Sequence, residues 1–153
     1  MPVVPAVCYL DYDGVLHDDA VYRRPGRGLV LETPGRTMFE WAPVLAHALR
    51  PYPELRIVLS TSWVRELSYD RARAYLPPAL ADRVIGATFH RREHGHTADL
   101  RWLWMQAGRG NQIAADVRRR GVPRWFAIDD AVSEFDADQA RWLVPCKSST
   151  GLG

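Results

Sequence analysis

Short apolar runs punctuate this chain. Residues 6–10, 55–59, 84–89 and 125–128 are dominated by aliphatic and aromatic side chains, and a weaker run covers 142–144. Runs of this length, rich in β-branched residues and without polar alternation, predict strands buried on both faces. Between them, residues 36–49 carry Phe39, Val44, Leu45, Ala48 and Leu49 at near-helical spacing. Residues 112–120 do the same with Ile113, Ala114 and Val117 before Gly121. Both predict helices, with Pro43 set to kink or restart the first. This β/α alternation defines an α/β fold: a three-layer, Rossmann-like parallel sheet with helices on both faces. Residues 17–35, rich in Gly, Arg and Pro, read as a flap or hairpin with a short strand at Leu29-Val30-Leu31, hence a minimal cap. Residues 90–96 are polar and aperiodic and predict a surface loop. With no repeat or linker in view, residues 1–153 read as a single domain.

The first run ends in Asp11-Tyr12-Asp13-Gly14-Val15-Leu16. Side chains alternate along a strand, so Asp11 and Asp13 project the same way from its carboxyl end, and Gly14 permits a sharp turn away. Two like charges so close need a cation, a shared proton or water to neutralise them. Three more segments fall at the ends or beginnings of later elements: Ser60-Thr61-Ser62-Trp63 after the second run, Arg109 at a helix start, and Asp129-Asp130 after the fourth run. In an open parallel sheet, the carboxyl edge of the strands is where ligands bind, so these groups converge on one point.

Composition sets the outer bounds. At 153 residues, 47% apolar and 25% charged, the chain can bury a real core. No apolar run approaches a membrane span, and the amino end lacks a secretory pattern, so a cytoplasmic location without membrane contact is expected. A net charge of +2 does not argue for a nucleic-acid binder by itself. Almost every basic residue is arginine, which suits bidentate contact with phosphate, and Lys147 is the sole lysine. Cys8 and Cys146 lack metal spacing and read as buried or free thiols.

At Asp11–Leu16 and Asp129-Asp130 the chain resembles the haloacid dehalogenase (HAD) superfamily of phosphohydrolases, whose first motif reads D-x-D-G-[VT]-L and whose fourth is often a D-D pair after an apolar strand. The closing segment, residues 141–152 with its Ser-Thr-Gly-Leu, is similar to the end of small bacterial members, including those grouped with RNA-repair proteins. The resemblance implies a phosphomonoester hydrolase in which Asp11 is the nucleophile, forming an aspartyl-phosphate, and Asp13 is the general acid and base. It further implies Mg²⁺ held by Asp11, Asp13 through its main-chain carbonyl, Asp129 and Asp130. Thr61 would be the phosphate-binding hydroxyl, with Ser60 or Ser62 as alternatives should the strand end one residue differently, and Gly14 would line the phosphate site. The family's third motif is usually a lysine. None stands in that place, so Arg109 is the substitute expected, with Arg101 and Arg118 as the other candidates.

Other residues admit plainer explanations. Asp129-Asp130 can cap a helix, Ser60 and Thr61 can do likewise, and Asp11 and Asp13 can be solvated loop acids. His90, His94 and His96 lack a cysteine or acid at metal spacing and are expected to face solvent. Trp102 and Trp104 cannot share one helix face, which predicts one core and one partly exposed ring. Trp63 is placed to line the pocket, stacking on a base or packing beneath the site. Arg23, Arg24 and Arg27 on the flap offer a charge cluster for steering an anionic polymer. No inserted lid domain fits the spacing, so an open site is expected, suited to a nucleotide, a nucleic-acid end or a protein phosphate, or closed by an oligomeric neighbour. Two further functions fit the same motifs: a phosphate-binding or interaction module with weak catalysis, and a phosphotransferase.

Overall fold

The computed structural model describes residues 5–153. Strand β1 (Val7–Leu10) runs straight into the Asp11 turn, followed by a hairpin, β2 (Val21–Arg24) and β3 (Gly28–Leu31), which pair antiparallel to each other. Helix α1 (Ala42–Leu49) leads to β4 (Arg56–Leu59), and three short helices follow: α2 (Ser62–Glu66), α3 (Tyr69–Ala74) and α4 (Pro78–Ala81). Next come β5 (Val84–Ala87), a single helical turn α5 (Arg91–His94), α6 (Ala98–Ala107) and α7 (Arg109–Arg120). The chain closes with β6 (Trp125–Asp129), α8 (Ala137–Ala140) and β7 (Leu143–Pro145).

The main sheet has the order β5-β4-β1-β6-β7, and every pairing in it is parallel. Strand β1 is central, and its four residues are all buried. Alternation along it divides the core. Cys8 and Leu10 join the α1 residues Ala42, Leu45 and Leu49, while Val7 and Tyr9 join Ile113 of α7 on the opposite face. This is the α/β, Rossmann-like architecture expected from the apolar runs, and it explains why β1 shows no polar alternation. The chain leaves β1 toward β4 and β6 toward β7, so connections diverge between β1 and β6. That is the topological switch point where such sheets open a crevice.

Three expectations need correction. The helix expected over 36–49 begins only at Ala42, with Pro43 in its first turn, because proline fits where the amide has no helical partner. Ahead of it, Phe39 adopts φ 58, a left-handed backbone that is uncommon for a bulky residue. Secondly, residues 90–96 are not a plain loop. Residues 91–94 form α5, the amide of its N-cap His90 donates to His94 Nδ1 at 2.9 Å, and His90 and His94 are half-buried while His96 is exposed. Thirdly, Trp104 is only half-buried and Trp102 is 61% exposed, so neither ring belongs to the core, and α6 buries no residue. Cys8 and Cys146 are free and buried, and among the described residues no helix is long and apolar enough to cross a membrane.

Candidate active site at the carboxyl edge of the sheet

Asp11 is the residue that directly follows β1, and Asp129 is the last residue of β6, two strands paired in parallel. Their carboxylates, with that of Asp130, each bring one oxygen within 4.8 Å of the others. Asp11 and Asp129 are buried. Asp11 Oδ1 accepts the Tyr12 amide at 2.8 Å, Asp129 Oδ1 accepts the Ala131 amide at 2.9 Å, and Asp130 Oδ2 accepts the Ser148 hydroxyl at 2.8 Å. Among the described residues, Asp129 Oδ2 has no hydrogen-bond partner. Gly14, at φ 76, is packed so closely on Asp130 that a Cβ there would lie 2.1 Å from Oδ2. Gly14 therefore meets an acid of this cluster, and its lack of a side chain makes the close approach possible.

Arg109 enters from the start of α7. Its guanidinium lies 3.4 Å from Asp11 Oδ1, 3.5 Å from Asp129 Oδ2 and 3.4 Å from Ser60 Oγ. Gly108, at φ 81, supplies the turn between α6 and α7, and Glu134 accepts the Arg109 amide at 2.9 Å. Burial works against the guanidinium charge, but Asp11 and then Asp129 more than offset it and hold the arginine charged. Burial pushes the Asp11 carboxyl well above the usual range. Arg109 pulls it back, whereas Asp129, Asp130 and Asp13 add to the rise. Asp129 is raised by burial in the same way, against the pull of Arg109. Three carboxylates around one guanidinium leave a charge excess, and together with the Asp129 oxygen that accepts no hydrogen bond they fit a hard divalent cation. Arg101 and Arg118, the other candidates for the cationic role, are exposed; Arg101 donates instead to the Gly95 carbonyl at 2.9 Å.

Asp13 stands apart from the acidic cluster. Its Oδ1 accepts the Trp63 indole N–H at 2.9 Å and meets His17 Nε2 at 2.8 Å. The Phe39 amide donates to His17 Nδ1 at 3.2 Å, which leaves Nε2 as the donor to Asp13. His17 is fully buried beside Phe39 and Trp63, and Tyr12 and Tyr75 complete the aromatic cluster. Of the two places expected for Trp63, the structure has it packed beneath the site and not stacked in the pocket: at 1% exposure it holds Asp13 from below. The left-handed Phe39 aims its amide at His17, so the strained residue has a local task.

The hydroxyls after β4 divide their labour. Ser60, buried, faces Arg109, while the Thr61 side chain accepts the Trp63 amide at 3.2 Å and caps α2. Ser62 begins that helix and lines, with Ser60, Thr61 and Arg109, a pocket of about 140 Å³. His17, Ser148 and Glu134 were not foreseen as site residues. His17 sits four residues after Asp13, a spacing that means nothing until the turn after Gly14 folds it back. Ser148 reaches Asp130 only because the segment after β7 returns to the crevice.

A parallel sheet with acids at its switch point, an arginine between them and hydroxyls just past the neighbouring strand is an arrangement into which a phosphoryl group would fit. The family comparison agrees: the model for the HAD domain in Swiss Army Knife RNA repair proteins matches residues 7–153. The chain belongs to that family, which supports a hydrolase of the phosphatase type acting on a phosphorylated substrate. No curated protein and no solved structure matches the chain.

Proposed function

We propose that the protein hydrolyses phosphomonoesters through an aspartyl-phosphate on Asp11. The convergence of Asp11, Asp129 and Asp130 on one point beside Arg109 carries this reading. An Asp11 oxygen attacks phosphorus, the bond from phosphorus to the leaving oxygen breaks, and Asp13 gives that oxygen a proton. Asp13 then takes a proton from water, whose oxygen attacks the same phosphorus. The Asp11 ester bond breaks, inorganic phosphate leaves, and Asp11 is restored. Both donors to Asp13 meet Oδ1, so Oδ2 is the oxygen left to carry the moving proton. Arg109 and Ser60 face the phosphoryl oxygens, with Thr61 and Ser62 lining the same pocket. Asp11, Asp129, Asp130 and the Asp13 main-chain carbonyl would hold Mg²⁺, which when bound offsets the negative charge that Asp11 and phosphate share.

The test is phosphate release from an aryl phosphate and from phosphorylated oligonucleotides, with Mg²⁺ or EDTA, for the wild type and Asp13→Asn. Turnover that EDTA abolishes, together with a phosphorylated protein that accumulates in Asp13→Asn, is the expected result. Folded protein that releases no phosphate from any of them overturns the reading.

Trp63→Phe probes the support of Asp13 separately, because it removes the indole N–H while keeping an aromatic ring. General acid catalysis contributes about 10²–10⁴-fold, and a badly held acid should leave roughly a tenth to a hundredth of the rate. The loss should appear in kcat on an alkyl phosphate, whose leaving oxygen needs a proton, and be several-fold smaller on an activated aryl phosphate. An equal loss on both would mean that Trp63 supports the fold and not the acid.

A further inference from the structure

The main sheet ends in two edges, β5 and β7. Strand β7 is three residues long and closes with Pro145, which has no amide to offer a further strand. Strand β5, with the residues Val84, Ile85, Gly86 and Ala87, carries neither a proline nor a charge. It pairs with β4 alone, so its other side presents unpaired main-chain groups. The Thr88 amide donates inward to the Leu59 carbonyl at 3.0 Å, and alternation along a ladder therefore turns the Ala87 groups outward. An Arg120 nitrogen donates to that Ala87 carbonyl at 3.4 Å, a long bond that an incoming amide can replace. Although the run over 84–89 reads as buried on both faces, Ile85 is 47% exposed at this edge.

Two clefts lie against the strand, of about 910 Å³ and 320 Å³, and both are lined by Ile85 and Arg120. The larger continues past Gly86 and Ala87 to Phe89 and α5, so a groove follows the outer side of β5. None of Asp11, Asp13, Asp129 and Asp130 lines either cleft, which separates this groove from the acids. Its charge is positive. Arg56, Arg65, Arg91, Arg92, Arg101 and Arg120 stand against Glu66 and Glu93. Both glutamates are already paired: Glu66 lies 3.0 Å from Arg23 and 3.3 Å from Arg65, and Glu93 lies 3.3 Å from Arg119. Arg91 and Arg92, exposed on α5, and Arg101, which donates to the Gly95 carbonyl, have no acidic partner among the described residues.

We infer that β5 accepts an added strand from an extended, acidic segment of a partner protein. The segment's main chain pairs with the outer row of β5, its carboxylates meet Arg91, Arg92 and Arg101, and its apolar side chains alternate onto Ile85 and Phe89. A polyanion without amides would meet the arginines and leave the strand edge unpaired. A second copy of this chain, paired edge to edge, would set two arginine-lined grooves against each other. An acidic peptide answers both the edge and the charge. This surface goes beyond the hydrolytic reading and does not depend on it.

The probe is a fluorescent ten-residue peptide of alternating valine and glutamate, titrated into the full chain over a salt series and read by anisotropy. Its affinity should fall with salt, and the same peptide with lysine for glutamate should bind at least tenfold more weakly. Strand addition uses the peptide's amides along one edge. N-methylation of every valine or of every glutamate should therefore, in at least one of the two peptides, weaken binding tenfold or more. Arg91→Ala with Arg92→Ala should weaken it at least tenfold at an unchanged melting temperature, and lysine at both positions should restore part of the loss. Hydrogen exchange at residues 84–87 should slow when the peptide binds. No binding up to about 1 mM, parent affinity in both N-methylated peptides, or tighter binding of a ten-nucleotide DNA strand would overturn the inference. So would a dimer whose 84–87 amides are already protected without peptide, because the edge would then belong to a second copy. Phosphate release enters none of these readouts, so this inference and the phosphatase reading fail separately.

Discussion

Asp11→Asn is expected to raise the melting temperature of the cation-free protein while abolishing phosphate release. Asp11 sits buried against two other acids, with one guanidinium among the three. Burial holds its carboxyl well above the ordinary value of about 3.9. The folded protein therefore binds that proton more tightly than the unfolded chain does. Stability without a cation then falls as pH rises from about 4 and levels off above the raised value. Removing the buried charge relieves that penalty, so near neutral pH the variant should melt above the wild type in EDTA. Asparagine can still accept the Tyr12 amide, so the turn keeps its bond.

Thermal melts across pH, with EDTA or Mg²⁺, check this. The wild type should lose stability with rising pH in EDTA and recover it with Mg²⁺, by about 2.7 kcal/mol at a hundredfold excess over Kd. Asp11→Asn should show a flatter pH profile and a smaller Mg²⁺ shift. A variant that melts below the wild type in EDTA, with an undiminished Mg²⁺ response, would place the cation elsewhere and make Asp11 a structural acid.

The parts of this site that could be read along the chain are those whose chemistry is local. Asp11, Gly14 and the Asp129-Asp130 pair follow apolar runs directly, and the parallel order of β1 and β6 brings them together. The β1 environment was legible too, because a strand covered on both faces has no polar positions to alternate. What stayed hidden depends on returns of the chain. Phe39 lies in a segment whose spacing looks helical, yet Pro43 makes the helix start later and frees residues 36–41 to form the turn that carries the His17 contact. Trp63 is adjacent to the hydroxyl motif, which left stacking in the pocket and packing beneath it both open, and only the turn of α2 directs its indole to Asp13. Likewise, α5 draws its shape from tertiary contacts: the His94 ring packs on Trp104 at 4.2 Å, and nothing in a run of arginine and histidine announces that partner.

Arg109→Ala should move stability in the opposite direction from Asp11→Asn and still remove activity. Its guanidinium, 17% exposed, is the one positive group that pairs with both Asp11 and Asp129 among the described residues. Taking it away leaves buried carboxylates facing one another, and removing one partner of a buried ion pair typically destabilises by about 3–5 kcal/mol. For this length that is a fall of roughly 6–20 °C in EDTA, and Mg²⁺ should recover part of it because the cation answers the same charge. In turnover, losing a preorganised donor to developing phosphoryl charge is worth about 10²–10³-fold in kcat. Arg109→Lys discriminates between these contributions. A lysine restores a point charge without the fork that spans Asp11, Asp129 and Ser60. It should recover most of the melting temperature, together with at least a tenfold part of the kcat lost in alanine. Thermal melts with and without Mg²⁺, beside kcat and KM on an aryl phosphate, separate the cases. If lysine restores stability but no turnover, the charge serves the fold and the bidentate geometry serves the phosphate. If alanine keeps its kcat per folded molecule, Arg109 is a counter-ion for Asp11 and Asp129 alone, and the cation that answers the transferring group must come from the metal.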